Sequence, residues 1–422
     1  MNIAILGKGL YAKTSSAVLA AEGHMIFHLC KDENIEEFEN EPGLSSLYEQ
    51  QISAGMISFK GSKKSVGIVF DFVLIAEFIT ISDVEILFKS QIKQAFNGTC
   101  FILLAPSEIG ETEHITKLII EHSIKAVVAC IPLLIREGVA LEDFSRPKLL
   151  VIGCDKTATI GRLKVLFQPF TFGENILNFV SPKEAEFSSF AGKAMLATRL
   201  SFMNEMASLA EKLQIDIEVV RECIGSDPRI GSEYLYPGCG YGGEALQINV
   251  DKVAKKLKKR NDDLGLLDIV TRINQRQKDI LFRKIWKYFN GNLSDKTIAI
   301  WGASFKPNSE SLSGAPAISL IDSLLAQDAK VNVYDPLANK QLMMKYQKSD
   351  SLQVKNSRDE VLVGSDLLVI CTEWEEFFTP DFNLIKKELN YPAIFDGRNL
   401  YQPDELKQIG IQYFAIGRGE NI

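Results

Sequence analysis

Tyr236-Pro237-Gly238-Cys239-Gly240-Tyr241-Gly242-Gly243-Glu244-Ala245-Leu246-Gln247-Ile248-Asn249-Val250-Asp251 is the stretch on which the reading of this chain turns. Four glycines and a proline fall between Pro237 and Gly243, a density that neither a helix nor a strand interior tolerates. The stretch is therefore a shaped loop. So little side-chain bulk lets backbone amides come close to a ligand, whereas an ordinary surface turn would use the same residues only to reverse the chain.

Around this loop the chain alternates apolar strands with helical segments. At the amino end the strand-like run 3–6 leads into Gly7-Lys8-Gly9-Leu10-Tyr11-Ala12 and a helix over Ser15 to Glu22. Strand, Gly-x-Gly-x-x-Ala and helix, in that order, form a dinucleotide-binding turn, in which the glycines let a pyrophosphate approach the amino end of the helix. The next strand, Met25 to Cys30, closes on Cys30 where an acidic residue would hold the ribose hydroxyls, with Asp32 two residues further on. Strands over Val69 to Ala76 and Cys100 to Ala105 follow.

From Ser181 the pattern changes to a long amphipathic helix, Glu184 to Leu213, with a second helix near Ile217 and a third within Leu264 to Tyr288. After residue 290, strands Thr297 to Trp301, Val331 to Tyr334 and Leu367 to Cys371 alternate with helices again, one of them opened by Pro316. The expected fold is α/β, with two Rossmann-like doubly wound domains joined by a long central helix. The expected boundaries are 1–180 for a dinucleotide-binding-like domain, 181–290 for a helical dimerisation region and 291–422 for a ligand-binding domain.

Bulk composition sets outer limits. A chain of 422 residues is long enough for two or three domains. A net charge of -7 argues against nucleic acid or an anionic membrane as partner, because both need a basic field. The longest apolar run, Gly67 to Ile79, contains Asp71 and Glu77 and is too short to span a bilayer, and the amino terminus lacks a signal pattern. The expectation is a cytoplasmic protein. Seven cysteines without CxxC spacing indicate neither a disulfide framework nor a zinc site.

The run from Asp227-Pro228-Arg229-Ile230-Gly231 to Gly243 resembles the sugar-nucleotide loop of the UDP-glucose/GDP-mannose dehydrogenase family. Glu41-Pro42-Gly43-Leu44, the segment Pro132-Leu133-Leu134-Ile135-Arg136-Glu137-Gly138, Gly302-Ala303-Ser304-Phe305-Lys306-Pro307-Asn308, Asp335-Pro336 and Asp396-Gly397-Arg398-Asn399 resemble further family segments, so the likeness covers essentially the whole chain. It implies a homodimer that binds a UDP-sugar or similar nucleotide sugar, with Arg229, Tyr241, Gly242, Gly243, Phe305, Lys306 and Arg398 on the substrate. It also implies NAD at Gly7, Gly9, Ala12 and Cys30. Family members oxidise a sugar primary alcohol to a carboxylate, using NAD twice and a cysteine that carries a thiohemiacetal and then a thioester.

The family's catalytic positions are the ones that depart. Its loop runs through Gly-Gly-Ser-Cys-Phe-Pro-Lys-Asp, where this chain has Gly242-Gly243-Glu244-Ala245-Leu246-Gln247-Ile248-Asn249; Ala245 stands at the nucleophile and Asn249 at the acid. On the long helix the family's lysine and asparagine fall on Ser189 and Lys193. The i, i+4 spacing keeps both on one face, so Lys193 can swing back toward the missing charge. Glu137 is retained, but Leu133 replaces its companion acid and Ser313 the arginine of Arg-Glu-Ser-Pro-Ala. Glu77-Phe78-Ile79-Thr80 puts bulk where the family passes the nicotinamide with Val-Gly-Thr-Pro.

A thiolate both attacks the aldehyde and leaves at hydrolysis, and alanine does neither. Cys239, upstream in the same loop, has no neighbouring His or Lys in sequence to activate it. Three readings stay open: a degenerate relative that binds a nucleotide sugar without completing its oxidation, an enzyme reduced to one alcohol-to-aldehyde step, or a structural subunit. The cofactor side is as eroded as the catalytic side, which puts NAD itself in question.

Overall fold

A computed structural model describes residues 1–29, 35, 41–59, 68–76, 98–104, 108–121, 126–133, 135–258 and 265–420, with the backbone alone at 244, 245, 248, 253 and 255–258. Cys30, Asp32, Pro106, Ser107 and the bulky run 77–80 lie outside the described residues. The chain divides into two compact units, Met1–Ala191 and Gly192–Ile422. Each unit is built on one sheet.

In the first unit, β1 (Asn2–Leu6), β2 (Met25–His28), β3 (Ile57–Phe59), β4 (Phe72–Ile75), β5 (Cys100–Leu103), β6 (Val127–Cys130), β7 (Leu150–Gly153) and β8 (Leu177–Val180) lie in the order 3-2-1-4-5-6-7-8. All neighbours run parallel except β6 and β7, which meet only at Cys130 and Gly153. The first six strands have the Rossmann order, which places a switch point between β1 and β4 at the carboxyl ends of the strands. Strands such as Phe72–Ile75 and Cys100–Leu103 are buried at every position, as a sheet covered on both faces requires.

Helix α1 (Leu10–Ala21) starts five residues earlier than the expected Ser15. Its buried residues include Lys13, Thr14, Ser15 and Ser16, so apolar periodicity shows only in its second half. Helices α2 (Leu44–Ser53), α3 (Glu111–Glu121), α4 (Ala140–Ser145) and α5 (Thr157–Phe167) follow. The long helix is α6 (Pro182–Leu213), and the limit between the two units falls inside it.

In the second unit α7 (Ile217–Gly225) is followed by the glycine loop, a π-turn over Gly243–Ile248, α8 (Asn249–Lys258), α9 (Leu266–Lys278) and α10 (Ile280–Tyr288). The expected third helix is thus a pair, broken at Asp279. The second sheet, with β9 (Thr297–Trp301), β10 (Lys330–Tyr334), β11 (Leu352–Val354), β12 (Leu367–Ile370), β13 (Ala393–Asp396) and β14 (Gln412–Phe414), is parallel throughout in the order 11-10-9-12-13-14. Helix α11 (Pro316–Leu325) begins on its proline and packs Ala317, Leu320, Ile321 and Leu324 into the core with Ile298, Ile300, Val331 and Val369.

The corner after β10 is set by Asp335, which is fully buried. One carboxylate oxygen accepts from the amides of Ala303 and Ser304 at 2.7 and 2.9 Å, from the Ser304 hydroxyl and from the Trp374 indole. The other accepts from the amides of Leu337 and Ala338. A buried carboxylate is tolerable only when its lone pairs are filled this way, and each donor left orphaned costs about 1–3 kcal/mol. Asp335→Ala is therefore expected to lower stability by more than about 3 kcal/mol in urea unfolding; a loss below about 1 kcal/mol would show that the amides find other acceptors.

Candidate functional site

In the second unit the glycine loop is buried from Pro237 to Gly243 and seated on three elements. Asn204 of α6 accepts from the Gly238 amide at 2.9 Å. From α9, Gln277 donates to the Gly238 carbonyl at 2.7 Å, while Asn274 exchanges two 3.0 Å bonds with the backbone of Tyr241. At the end of β13 the Gly397 carbonyl accepts from the Cys239 amide at 2.9 Å, and Gly243 donates to the Ser313 carbonyl at 2.8 Å. Thus the amides of residues 238, 239, 241 and 243 are bound by protein acceptors.

The glycines are needed because the seat leaves no room for a methyl. A Cβ on Gly242 would stand 2.5 Å from the Gly314 carbonyl oxygen, and one on Gly243 would stand 2.7 Å from the ring of Phe305. Gly243 also has φ +85°, a conformation that side chains resist. Phe305, half-buried, lies over the loop, and the Lys306 ammonium is 5.7 Å from the centre of its ring. Arg398 donates to the Cys371 carbonyl at 2.8 Å and pairs with Glu373 at 3.0 Å. Tyr241, Gly242, Gly243, Phe305, Lys306 and Arg398 thus gather around one end of the second sheet. Burial pushes the Tyr241 phenol up to about 12.

Arg229 is placed differently. It lies just past α7, largely exposed, and its hydrogen bonds among the described residues all go to Asp227, with which it forms a bidentate pair.

Ala245 lies in the π-turn Gly243–Ile248 and Asn249 opens α8. The turn is tied down by Lys278 at the end of α9, whose ammonium donates to the Gln247 side chain at 2.7 Å and to the Gly314 carbonyl at 2.5 Å. Burial draws this lysine down to about 8, against the pull of Asp251, Cys239 and Asp279. A methyl at Gly314 would meet the Gln247 oxygen at 2.2 Å, so the bare backbone there and the Gln247 side chain fit each other.

Ser189 and Lys193 share a face of α6. Lys193 is half-buried, and burial lowers its pKa.

In the first unit Gly7 has φ +148°, Gly9 precedes α1, and Ala12 is fully buried against the sheet. The first turn of α1 holds no acidic residue. The segment 131–138 that carries Leu133 and Glu137 is pinned from two sides. Tyr11 donates to the Leu133 carbonyl and accepts from the Ile135 amide, while buried Glu41 accepts from the amides of Gly138 and Ala140 at 2.5 and 3.1 Å. Leu133 packs against the apolar core. A second carboxylate, Glu186 of α6, accepts from the amides of Gly110 and Thr112 at 2.6 and 2.8 Å at the start of α3.

The sequence alone did not mark Asn204, Asn274, Gln277, Lys278 or Glu186, while Glu41 was marked only as part of a family-like turn. Asn274, Gln277 and Lys278 on one α9 face are a signal of sorts: polar groups recurring where an amphipathic helix should bury apolar ones.

Two doubly wound parallel sheets, a glycine turn at the head of the first and a glycine loop against the second define a protein of the nucleotide-binding α/β class. Residues 183–276 match the central domain of the UDP-glucose/GDP-mannose dehydrogenase family, and residues 299–403 match its UDP binding domain. The UDP-glucose 6-dehydrogenase of Pseudomonas aeruginosa is 31% identical over 446 residues, covering 99% of this chain and 98% of its own. UDP-glucose 6-dehydrogenase YwqF of Bacillus subtilis is 30% identical over 436 residues, covering 99% and 98%.

Among solved structures, a UDP-glucose dehydrogenase from Pyrobaculum islandicum has the same fold, with a TM-score of 0.83 at 22% identity over 99% of this chain and 98% of that one. The UDP-D-ManNAc dehydrogenase of Pyrococcus horikoshii also matches at 0.83, with 20% identity over the full length of both. The chain belongs to the UDP-glucose/GDP-mannose dehydrogenase family. Among the described residues no helix is long and apolar enough to cross a membrane, and no cluster of three His, Cys, Asp or Glu could hold a metal ion.

The buried Lys278 makes a signed prediction. Below about pH 8 both folded and unfolded states carry the proton and the burial penalty is present in full. Between about 8 and the ordinary 10.5 only the unfolded state keeps it, so stability rises with pH there. The wild type should gain up to about 3 kcal/mol on Lys278→Met across this window in chemical denaturation; a pH-independent difference would contradict the placement.

Proposed function

We propose that this chain binds a nucleotide sugar, a UDP-sugar by the class of its carboxyl-terminal domain, and does not carry the sugar through to a uronate. The observation that carries this reading is the alanine at 245, in the π-turn directly after the glycine loop. A methyl group cannot form the thiohemiacetal or the thioester, and the nucleophile of this chemistry must also be able to leave. Ser189, Lys193, Asn249 and Leu133 depart with it, so the loss is spread over the chemistry rather than confined to one atom.

What supports binding is the contrasting condition of the second unit. Phe305 offers an aromatic face, Lys306 an ammonium, and Arg398 a guanidinium whose charge is kept, against the cost of burial, by Glu373. Arg229, engaged with Asp227, is an expected substrate contact only if that pair opens or another chain meets it. A homodimer seamed along α6, where Phe202 and Leu209 stand exposed, belongs to the same reading.

The first unit fits the pyrophosphate of NAD at Gly7, Gly9 and the amino end of α1, with Ala12 keeping the helix close to the sheet. NAD, when bound, would accept a hydride from the sugar alcohol. A single oxidation to the aldehyde needs no thiol. Half-buried Lys193, with its proton loosened, is the observation that favours this second reading.

Thermal denaturation with UDP-glucose, UDP-glucuronate, UDP-GlcNAc, GDP-mannose, NAD and NADH separates the readings. A specific ligand at about a hundred times its dissociation constant adds about 2.7 kcal/mol. A shift with a UDP-sugar and no NADH formation is expected; shifts with both and slow NADH formation mark the single-step enzyme; no shift with any defeats binding. Ala245→Cys alone is expected not to yield a uronate, and robust production by that variant would refute the picture of dispersed loss.

A further inference from the structure

One buried polar cluster in the first unit has no part in holding a pyrophosphate. Lys13, three residues into α1, is buried along its stem, and its ammonium donates at 3.2 Å to the hydroxyl of half-buried Ser45 in the first turn of α2. The same ammonium lies 5.5 Å from the centre of the Tyr48 ring. The Tyr48 hydroxyl is 3.1 Å from Nε2 of His28, the last residue of β2, and the Ser16 hydroxyl meets that nitrogen at 2.9 Å. Through Tyr48 the Lys13 ammonium is thus placed beside the carboxyl end of β2. In a dinucleotide fold this end of the strand receives the adenine ribose.

The charges at that end depart from the NAD pattern. A site of the NAD type closes the strand on a carboxylate that takes the ribose 2′-hydroxyl, and such a carboxylate repels a phosphate standing in the place of that hydroxyl. In this sequence the position is a neutral cysteine, Cys30, and Lys31 follows it. Glu41, the acid shortly before α2, is buried and accepts from the amides of Gly138 and Ala140. Neither α1 nor α2 carries an acidic residue in its first turn.

We propose that the pocket takes a dinucleotide whose adenine ribose carries a 2′-phosphate, a cofactor of the NADP type, with Lys13 and Ser45 as donors to that phosphate. The proposal rests on the dinucleotide reading of Gly7 and Gly9, since the pyrophosphate cradle is common to NAD and NADP. Lys13 supplies a positive charge held in place by its buried stem. Ser45, whose oxygen accepts from Lys13, has its own O–H to give. One hydrogen bond to a charged group changes affinity by about tenfold to a hundredfold, enough to set a preference between the two cofactors.

The test titrates the full-length protein by calorimetry with 2′,5′-ADP, ADP, NADP and NAD. Binding of 2′,5′-ADP at least about tenfold tighter than ADP is expected, with a like factor between NADP and NAD. Lys13→Met should bring the members of each pair to within about threefold of one another. Because Lys13 is buried, Ser45→Asp gives a second variant, at a half-buried position where an acid suits the start of a helix, and it should reverse the order in favour of ADP and NAD. Equal or tighter binding of ADP and NAD by the wild type would overturn the 2′-phosphate assignment and leave the dinucleotide reading standing; binding of none of the four would overturn that reading as well. A 2′-phosphate preference that survives either substitution in the folded protein would overturn the roles given to Lys13 and Ser45. These readouts are affinities and need no turnover, so the alanine at 245 does not bear on them.

Discussion

The second unit depends on a backbone packed too closely for side chains. From Gly238 to Gly243 the loop touches the backbone or rigid side chains of segments that lie far along the chain: Gly397 on one side, Gly314 on another, Phe305 above. Contacts at these distances cannot be widened by rotating a side chain away, because much of what they meet is main chain. The loop therefore fits three partners at once, and Asn204, Asn274 and Gln277 bind polar groups of its backbone. What remains for a ligand is the surface that this packing presents, with Phe305, Lys306 and Arg398 around it. The seat is held by contacts within the fold, which is what a binding surface needs if affinity is not to be spent on ordering it.

The difference between what was legible in the sequence and what was not follows from how local each signal is. Gly7 and Gly9 announce a turn because backbone conformation is written in the residue itself, and Asp335-Pro336 sits where a strand ends. Alternation of apolar runs with helical periods marked four of the eight strands of the first sheet and three of the six of the second. The start of α1 was missed because its buried face carries Lys13, Thr14, Ser15 and Ser16, which no hydrophobic period reveals. Lys13 reaches the Ser45 hydroxyl at 3.2 Å, and the Ser16 hydroxyl lies 2.9 Å from a ring nitrogen of buried His28. In the site, Lys278 by itself gave no signal in sequence, since only the fold brings Gln247 and Gly314 to it. Glu186 was equally silent, because a carboxylate that fills the start of a distant helix looks, in sequence, like any solvated acid.

Residues of the π-turn and of the segment after β6 are held by partners within the fold. Gln247, Gly314 and Lys278 form a closed hydrogen-bonded set that stabilises the π-turn in its present shape, and Leu133 has joined the apolar core instead of leaving a buried acid unpaired.

The bond between the Cys239 amide and the Gly397 carbonyl has a further consequence for how such a chain comes into being. Synthesis proceeds from the amino end, and domains settle as units while the rest is still being made. The loop leaves the ribosome long before β13 exists, so it must wait, unseated and with its amides in water, until almost all of the polypeptide has emerged. A nascent chain that stops before Gly397 lacks the acceptor that seats the Cys239 amide.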